Sequence, residues 1–108
     1  MISLIDQHRT ELDRLCREFR VLRLDLFGSA ASGDFDAATS DLDFIVTFAD
    51  TGLGYADRYL AFAEALEALF GRRVDLLTER AIRNPIFRRS VERTRECIYE
   101  QRSEQAAA

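Results

Sequence analysis

Between residues 27 and 44 the chain reads FGSAASGDFDAATSDLDF, with small residues, glycines and aspartates enclosed by the apolar runs VLRLDLF and FIVTF. Asp41 and Asp43 stand two apart at the mouth of the second run. Side chains alternate along a strand, so these carboxylates share one face while Leu42 and Phe44 fix the opposite face into a core. Like charges held that close repel, and each favours its neutral form unless a cation lies between them. A hard divalent ion such as Mg²⁺ removes the conflict, because it takes oxygen ligands and is commonly held by one or two carboxylates plus substrate phosphates. Asp75 interrupts the short run RRVDLL in the same way. It completes an acidic cluster if its strand lies beside that of Asp43; otherwise it is an ion-pair partner for Arg72 or Arg73.

Gly28 and Ser29 supply complementary equipment. Glycine lets the backbone approach a ligand closely, and Ser29 opens a short helix whose free N–H groups favour an anion. Gly33 keeps the following turn slim. A phosphate held there, with metal on the nearby carboxylates, suits phosphoryl or nucleotidyl transfer, in which two metals clamp the attacking and leaving oxygens.

The elements that must position these groups follow from periodicity. Residues 2–19 place Ile2, Ile5, Leu12, Leu15, Cys16 and Phe19 at helical spacing. Leu22, Leu24 and Leu26 alternate with Val21, Arg23, Asp25 and Phe27 at strand spacing, and Gly28 ends that strand. Residues 34–40 make a polar loop. In the strand 41–48, Leu42, Phe44, Val46 and Phe48 face the core. Residues 56–70 form the clearest helix, with Leu60, Ala63, Leu66 and Phe70 on one stripe and Gly71 as C-cap. A third strand spans RRVDLLTE, Thr78 is a candidate N-cap, and Asn84-Pro85 starts a last helix running to about Glu100 that buries Ile86, Phe87, Val91, Cys97 and Ile98. The order α-β-α-β-α-β-α gives an α/β (α+β) fold, a small mixed sheet flanked by helices, as a single domain over residues 1–103 with a disordered tail at 104–108.

Composition excludes several function classes. The 108-residue chain has a net charge of −4, with six arginines against thirteen acids up to residue 71 and nine against six beyond it. All fifteen basic residues are arginine. That balance argues against strong nonspecific nucleic-acid binding, though the C-terminal arginines (Arg83, Arg88, Arg89, Arg93 and Arg95) form either a partner surface or a solvated helix face. Cys16 and Cys97 read as free thiols and His8 as a solvent-facing side chain. Tyr55 and Tyr59, near the Gly52–Gly54 loop, are weaker candidates for nucleotide or partner contact, with Tyr59 packing on the helix stripe as the alternative. No apolar stretch reaches the roughly 20 residues of a membrane span, and no signal peptide is evident, so a cytoplasmic location is expected.

At LFGSAASG, SDLDFIV and RRVDLL the chain resembles the minimal nucleotidyltransferases of the DNA polymerase beta superfamily, over roughly residues 21–100. The resemblance implies a polymerase-beta-like fold in which Gly28, Ser29, Gly33 and Ser40 bind the nucleotide's phosphates. It implies that Asp41, Asp43 and Asp75 hold Mg²⁺, two ions in all, and that Asp75 helps deprotonate the attacking hydroxyl. It further implies ATP as substrate and AMP transfer to a tyrosine of a partner, as in antitoxins paired with HEPN-type ribonuclease toxins. One position departs: the family's arginine before the second glycine is Ser32 here. A partner-binding module without catalysis and a small-molecule or antibiotic nucleotidyltransferase are the alternatives.

Overall fold

The computed structural model describes residues 3–32 and 41–101, with the side chains of Ser3 and Ser32 excepted. Gly33, the 34–40 loop with Ser40, and the 104–108 tail lie outside the described residues. In chain order the elements are α1 (Ser3–Gln7), α2 (Arg9–Glu18), β1 (Val21–Phe27), α3 (Ser29–Ser32), β2 (Leu42–Phe48), α4 (Tyr55–Phe70), β3 (Val74–Thr78), a 3-10 turn (Glu79–Ala81), α5 (Pro85–Thr94) and β4 (Glu96–Glu100). The strands form one mixed sheet in the order β3-β2-β1-β4. β2 and β3 run parallel, joined through α4, whereas β1 pairs antiparallel with both β2 and β4.

The two sheet faces are unlike, and that difference places the site. Leu24 and Leu26 of β1, Leu42, Phe44, Val46 and Phe48 of β2, and Leu76 of β3 are buried in one large core with Leu12 and Cys16 of α2 and Phe62, Leu66 and Phe70 of α4. The opposite face carries Asp25, Phe27, Asp43, Ile45, Asp75 and Leu77 by strand alternation. Only a small cluster covers it: Phe27, Ile45, Ile82 and Val91, with Leu77 against them. The expected inward set of β2 is therefore borne out, and its acids are left on the thinly covered side.

Several sequence expectations are corrected. The single N-terminal helix is two, broken at His8. The His8 ring is half-buried, meeting Phe70 edge-on at 5.4 Å, rather than solvent-facing. In β1 a register irregularity between Val21 and Arg23 inverts the alternation, so Val21 is buried and Leu22 is exposed. On α4 the buried stripe is Phe62, Leu66 and Phe70, one turn apart, and Leu60 is 60% exposed. Two residues rotate a helix by about 200°, so Leu60 and Phe62 cannot share a face. Leu60 lies on the charged side of the helix, between Glu64 and Glu67.

The last helix stops at Thr94. Arg95 turns extended, and residues 96–100 become β4 on the outer edge of β1, so Cys97 and Ile98 sit in a strand. Without β4 the backbone edge of β1 would be unpaired. The other sheet edge is guarded by α4: the Tyr59 hydroxyl donates to the Leu76 carbonyl, and the Val74 N–H donates to Glu67 at 3.1 Å. Tyr59 is thus committed to the edge of β3, and Tyr55 packs edge-on against Phe48 at 5.5 Å. Phe48 lies five residues up β2 from Asp43, about 16 Å along the strand, which sets Tyr55 well away from that acid.

The start of α5 is as expected. Pro85 is its first residue, and the Asn84 carboxamide oxygen accepts from the Ile86 N–H at 2.8 Å and the Phe87 N–H at 3.2 Å. Thr78 precedes the 3-10 turn but makes no side-chain cap bond. Asn84→Ala should destabilise the fold by about 1 kcal/mol, read as a lower urea midpoint at unchanged slope. Ile86 and Phe87, expected in the core, are 76% and 41% exposed.

Candidate active site

The parallel register of β2 and β3 places Asp43 opposite Asp75, and the antiparallel register of β1 and β2 places Phe27 opposite Asp43. One row across three strands thus carries both acids and ends next to Gly28. The conditional expectation for Asp75 is met: its strand does lie beside that of Asp43.

Asp43 is half-buried, Asp41 is half-buried at the entrance of β2, and Asp75 is exposed. Burial pushes the Asp43 carboxyl up to about 6, helped by a hydrogen bond with Asp75 and by the charges of Asp75 and Asp41. Among the described residues no three His, Cys, Asp or Glu side chains are gathered into a ready-made metal cage. The acids form a linked series with Asp43 at its centre. Oxygen donors that raise the pKa of their central member fit a hard divalent cation, which would stabilise the ionised form that the neighbours oppose.

Gly28 closes this arrangement. Its φ is +77°, and a Cβ there would lie 2.6 Å from Asp43 Oδ2. Only glycine combines that backbone with that approach. Its N–H donates to Thr94 Oγ1 at 2.9 Å, fixing the turn to the end of α5. Ser29 begins α3 directly after it. Gly28→Ala should cost about 1–2 kcal/mol of backbone strain and displace the Asp43 carboxylate. The expected outcome is a folded protein with transfer activity lowered by at least about tenfold, a barrier increase of roughly 1.4 kcal/mol, checked by thermal melt and a transfer assay side by side.

Two residues near this site escaped the sequence reading. Thr94 gave no signal, since one threonine at a helix end is unremarkable. Asp25 did, being an acid inside an apolar strand like Asp75. It is 1% exposed and sits between Arg95, at 2.7 Å, and Arg23, at 2.9 Å. Arg95 also pairs with Glu79 and Glu92, and Arg88 bridges the same two glutamates at 3.4 and 3.3 Å. Burial alone would lower the Arg95 pKa, but the hydrogen bonds it donates to Glu79, Asp25 and Glu92 outweigh it and raise it. The hydrogen bond from Arg95 holds Glu79 below the usual carboxylate range despite partial burial. Arg88 and Arg95 are therefore internal ties, not members of a free arginine surface. The two cysteines are free thiols; burial pushes the Cys16 thiol up to about 12, which keeps it unreactive.

Comparison with known proteins agrees with this geometry. The nucleotidyltransferase domain family matches residues 8–98. The Methanocaldococcus jannaschii protein MJ1379, provisionally named a protein adenylyltransferase, is 36% identical over 75 residues, covering 69% of this chain and 74% of its own. A solved structure provisionally described as a minimal nucleotidyltransferase is 31% identical, with a TM-score of 0.70 over 87% of this chain and 92% of that one. The structure of a tri-AMPylated Shewanella oneidensis HEPN toxin with its MNT antitoxin matches in fold, at 18% identity and a TM-score of 0.60, covering 94% of this chain and 77% of that one. The row of acids beside a glycine turn, the mixed four-stranded sheet and these likenesses agree, and the chain belongs to the nucleotidyltransferase domain family, among its minimal members.

Proposed function

We propose that the chain transfers AMP from ATP to a tyrosine hydroxyl of a partner protein, acting as the antitoxin of a HEPN-type ribonuclease. The observation that carries the reading is the row joining Gly28, Asp43 and Asp75. Support for the protein acceptor comes from the name of the archaeal relative and from the AMPylated toxin in the Shewanella complex.

In this reading Asp41, Asp43 and Asp75 hold Mg²⁺, which when bound supplies charge stabilisation at the phosphates and lowers the pKa of an oxygen ligand. The Gly28 turn and Ser29 seat the nucleotide's phosphates, with Gly33 and Ser40 proposed to join them. Asp75, the most exposed of the three acids, takes the acceptor's proton. The hydroxyl oxygen then bonds to the α-phosphorus, the bond from that phosphorus to the bridging oxygen breaks, and pyrophosphate leaves. The location proposed is cytoplasmic, consistent with two free thiols. Among the described residues no helix is long and apolar enough to cross a membrane.

Parallel assays with ATP labelled at the α- or the γ-phosphate test the reaction type. Protein labelling from the α position alone supports nucleotidyl transfer. Labelling from the γ position would replace it with phosphoryl transfer.

A further inference from the structure

α5 has three distinct sides. At 100° per residue, Phe87, Val91 and Thr94 point together toward the sheet: the Phe87 ring meets Phe27 at 6.2 Å, Val91 is buried, and Thr94 accepts from Gly28. Arg88 and Glu92 form the adjoining side and belong to the ion-pair network around Glu79. Ile86, Arg89 and Arg93 make up the outer side. Ile86 is 76% exposed there, and Arg89 and Arg93 are exposed and enter no ion pair among those found in the described residues. Arg83, just before the helix, is exposed too and donates to the Arg80 carbonyl at 3.3 Å.

The helix that carries this stripe stands beside the site, its Thr94 holding the Gly28 turn. The acids lie on the thinly covered sheet face, and α5 is the helix that covers part of that face. A polypeptide bringing a hydroxyl to Asp43 and Asp75 from that side has α5 as its neighbouring wall. We propose that Ile86, Arg89 and Arg93, with Arg83 and the open edge of Phe87, seat an acidic segment of the protein that receives the nucleotide, an apolar side chain of that segment covering Ile86. The inference rests on the transferase reading for what the partner receives, but not for the docking itself. Charge complementarity selects the partner: this patch holds three exposed guanidiniums with no ion pair found among the described residues, in a chain of net charge −4. A largely exposed isoleucine at its centre favours a protein segment over nucleic acid, whose contacts are mainly to phosphate.

The probe is poly(Glu,Tyr), an acidic copolymer with tyrosine hydroxyls, with poly(Lys,Tyr) and poly(U) as controls. Wild-type protein should bind poly(Glu,Tyr), more weakly as salt rises, and should bind neither control. Arg89→Glu/Arg93→Glu should weaken that binding by about tenfold or more, the effect of reversing two charges in one patch. Leu53→Asp, fully exposed in the loop before α4, should leave it unchanged. Binding of Mg-ATP, followed separately by calorimetry, should be equal in all three proteins. Equal copolymer binding by wild type and the double variant, or preferential binding of poly(U), would overturn the docking inference. Loss of Mg-ATP binding in the double variant would instead place these arginines in the nucleotide site and overturn it too. Failure of the wild type to bind Mg-ATP would strike the transferase reading and leave the docking result to stand or fall by itself.

Discussion

Asp43→Asn is expected to lower nucleotide transfer by more than about 10²–10³-fold, the scale on which losing one preorganised electrostatic group acts in an enclosed site, while raising the melting temperature of the metal-free protein. Both effects have one cause. The Asp43 carboxyl is raised from 3.8 to about 6 by burial and by Asp75 and Asp41. A folded-state pKa above the unfolded one means that the folded protein favours the protonated form. The associated stability is present in full below about pH 4 and is lost as pH rises through about 6. Near pH 8 the ionised carboxylate therefore strains the native state by about 1–2 kcal/mol after discounting for solvent screening. Asparagine keeps the shape and cannot ionise. The difference in melting temperature between variant and wild type should be near zero at pH 4 and grow to several degrees at pH 8. Added Mg²⁺ should stabilise the wild type and not the variant. An equal response of the two proteins to Mg²⁺ would remove Asp43 from the metal site.

The largest expected loss of stability comes from Arg95. Arg95→Met leaves Asp25, 1% exposed, with Arg23 as its remaining ionic partner. Leaving a buried charge wholly uncompensated costs about 3–5 kcal/mol; with Arg23 still on Asp25 the expected loss is about 3 kcal/mol, the lower end of that range. For a domain of this size that is a large share of the whole stability. The double variant Asp25→Leu/Arg95→Met removes both charges and should recover most of the loss, because an apolar replacement of similar volume is often neutral. A denaturant-based double-mutant cycle checks this: strong non-additivity is expected, and additive losses would show that the pair is not coupled. Arg95 follows Thr94, whose hydroxyl accepts from Gly28, so the single variant should also weaken nucleotide binding where the double variant regains stability but not the tie.

How much could be read from the chain depends on where the information lies. The acids, the glycine turn and the inward face of β2 follow from alternation, a property of neighbouring residues. The pairing of Asp43 with Asp75 needed strand adjacency, which the sequence left open and the parallel register of β2 and β3 supplies. Arg88 and Arg95 were misassigned because their partners, Glu79 and Asp25, lie up to seventy residues away, and helical spacing carries no trace of them. β4 was hidden for a similar reason: Cys97 and Ile98 continue a helical pattern, and only the unsatisfied edge of β1 decides against it. Leu60 and Ile86 looked like core residues because apolar character reports what can be buried, not what is.

The decisive measurement is transfer of α-phosphate-labelled ATP, with Mg²⁺, into a lysate of the source cells by wild type and by Asp41→Asn/Asp43→Asn. Label on a discrete protein band with the wild type alone, lost when the metal is chelated, is the predicted result. Equal labelling by both proteins would contradict the assignment of these carboxylates to the reaction, and with it the site built around them.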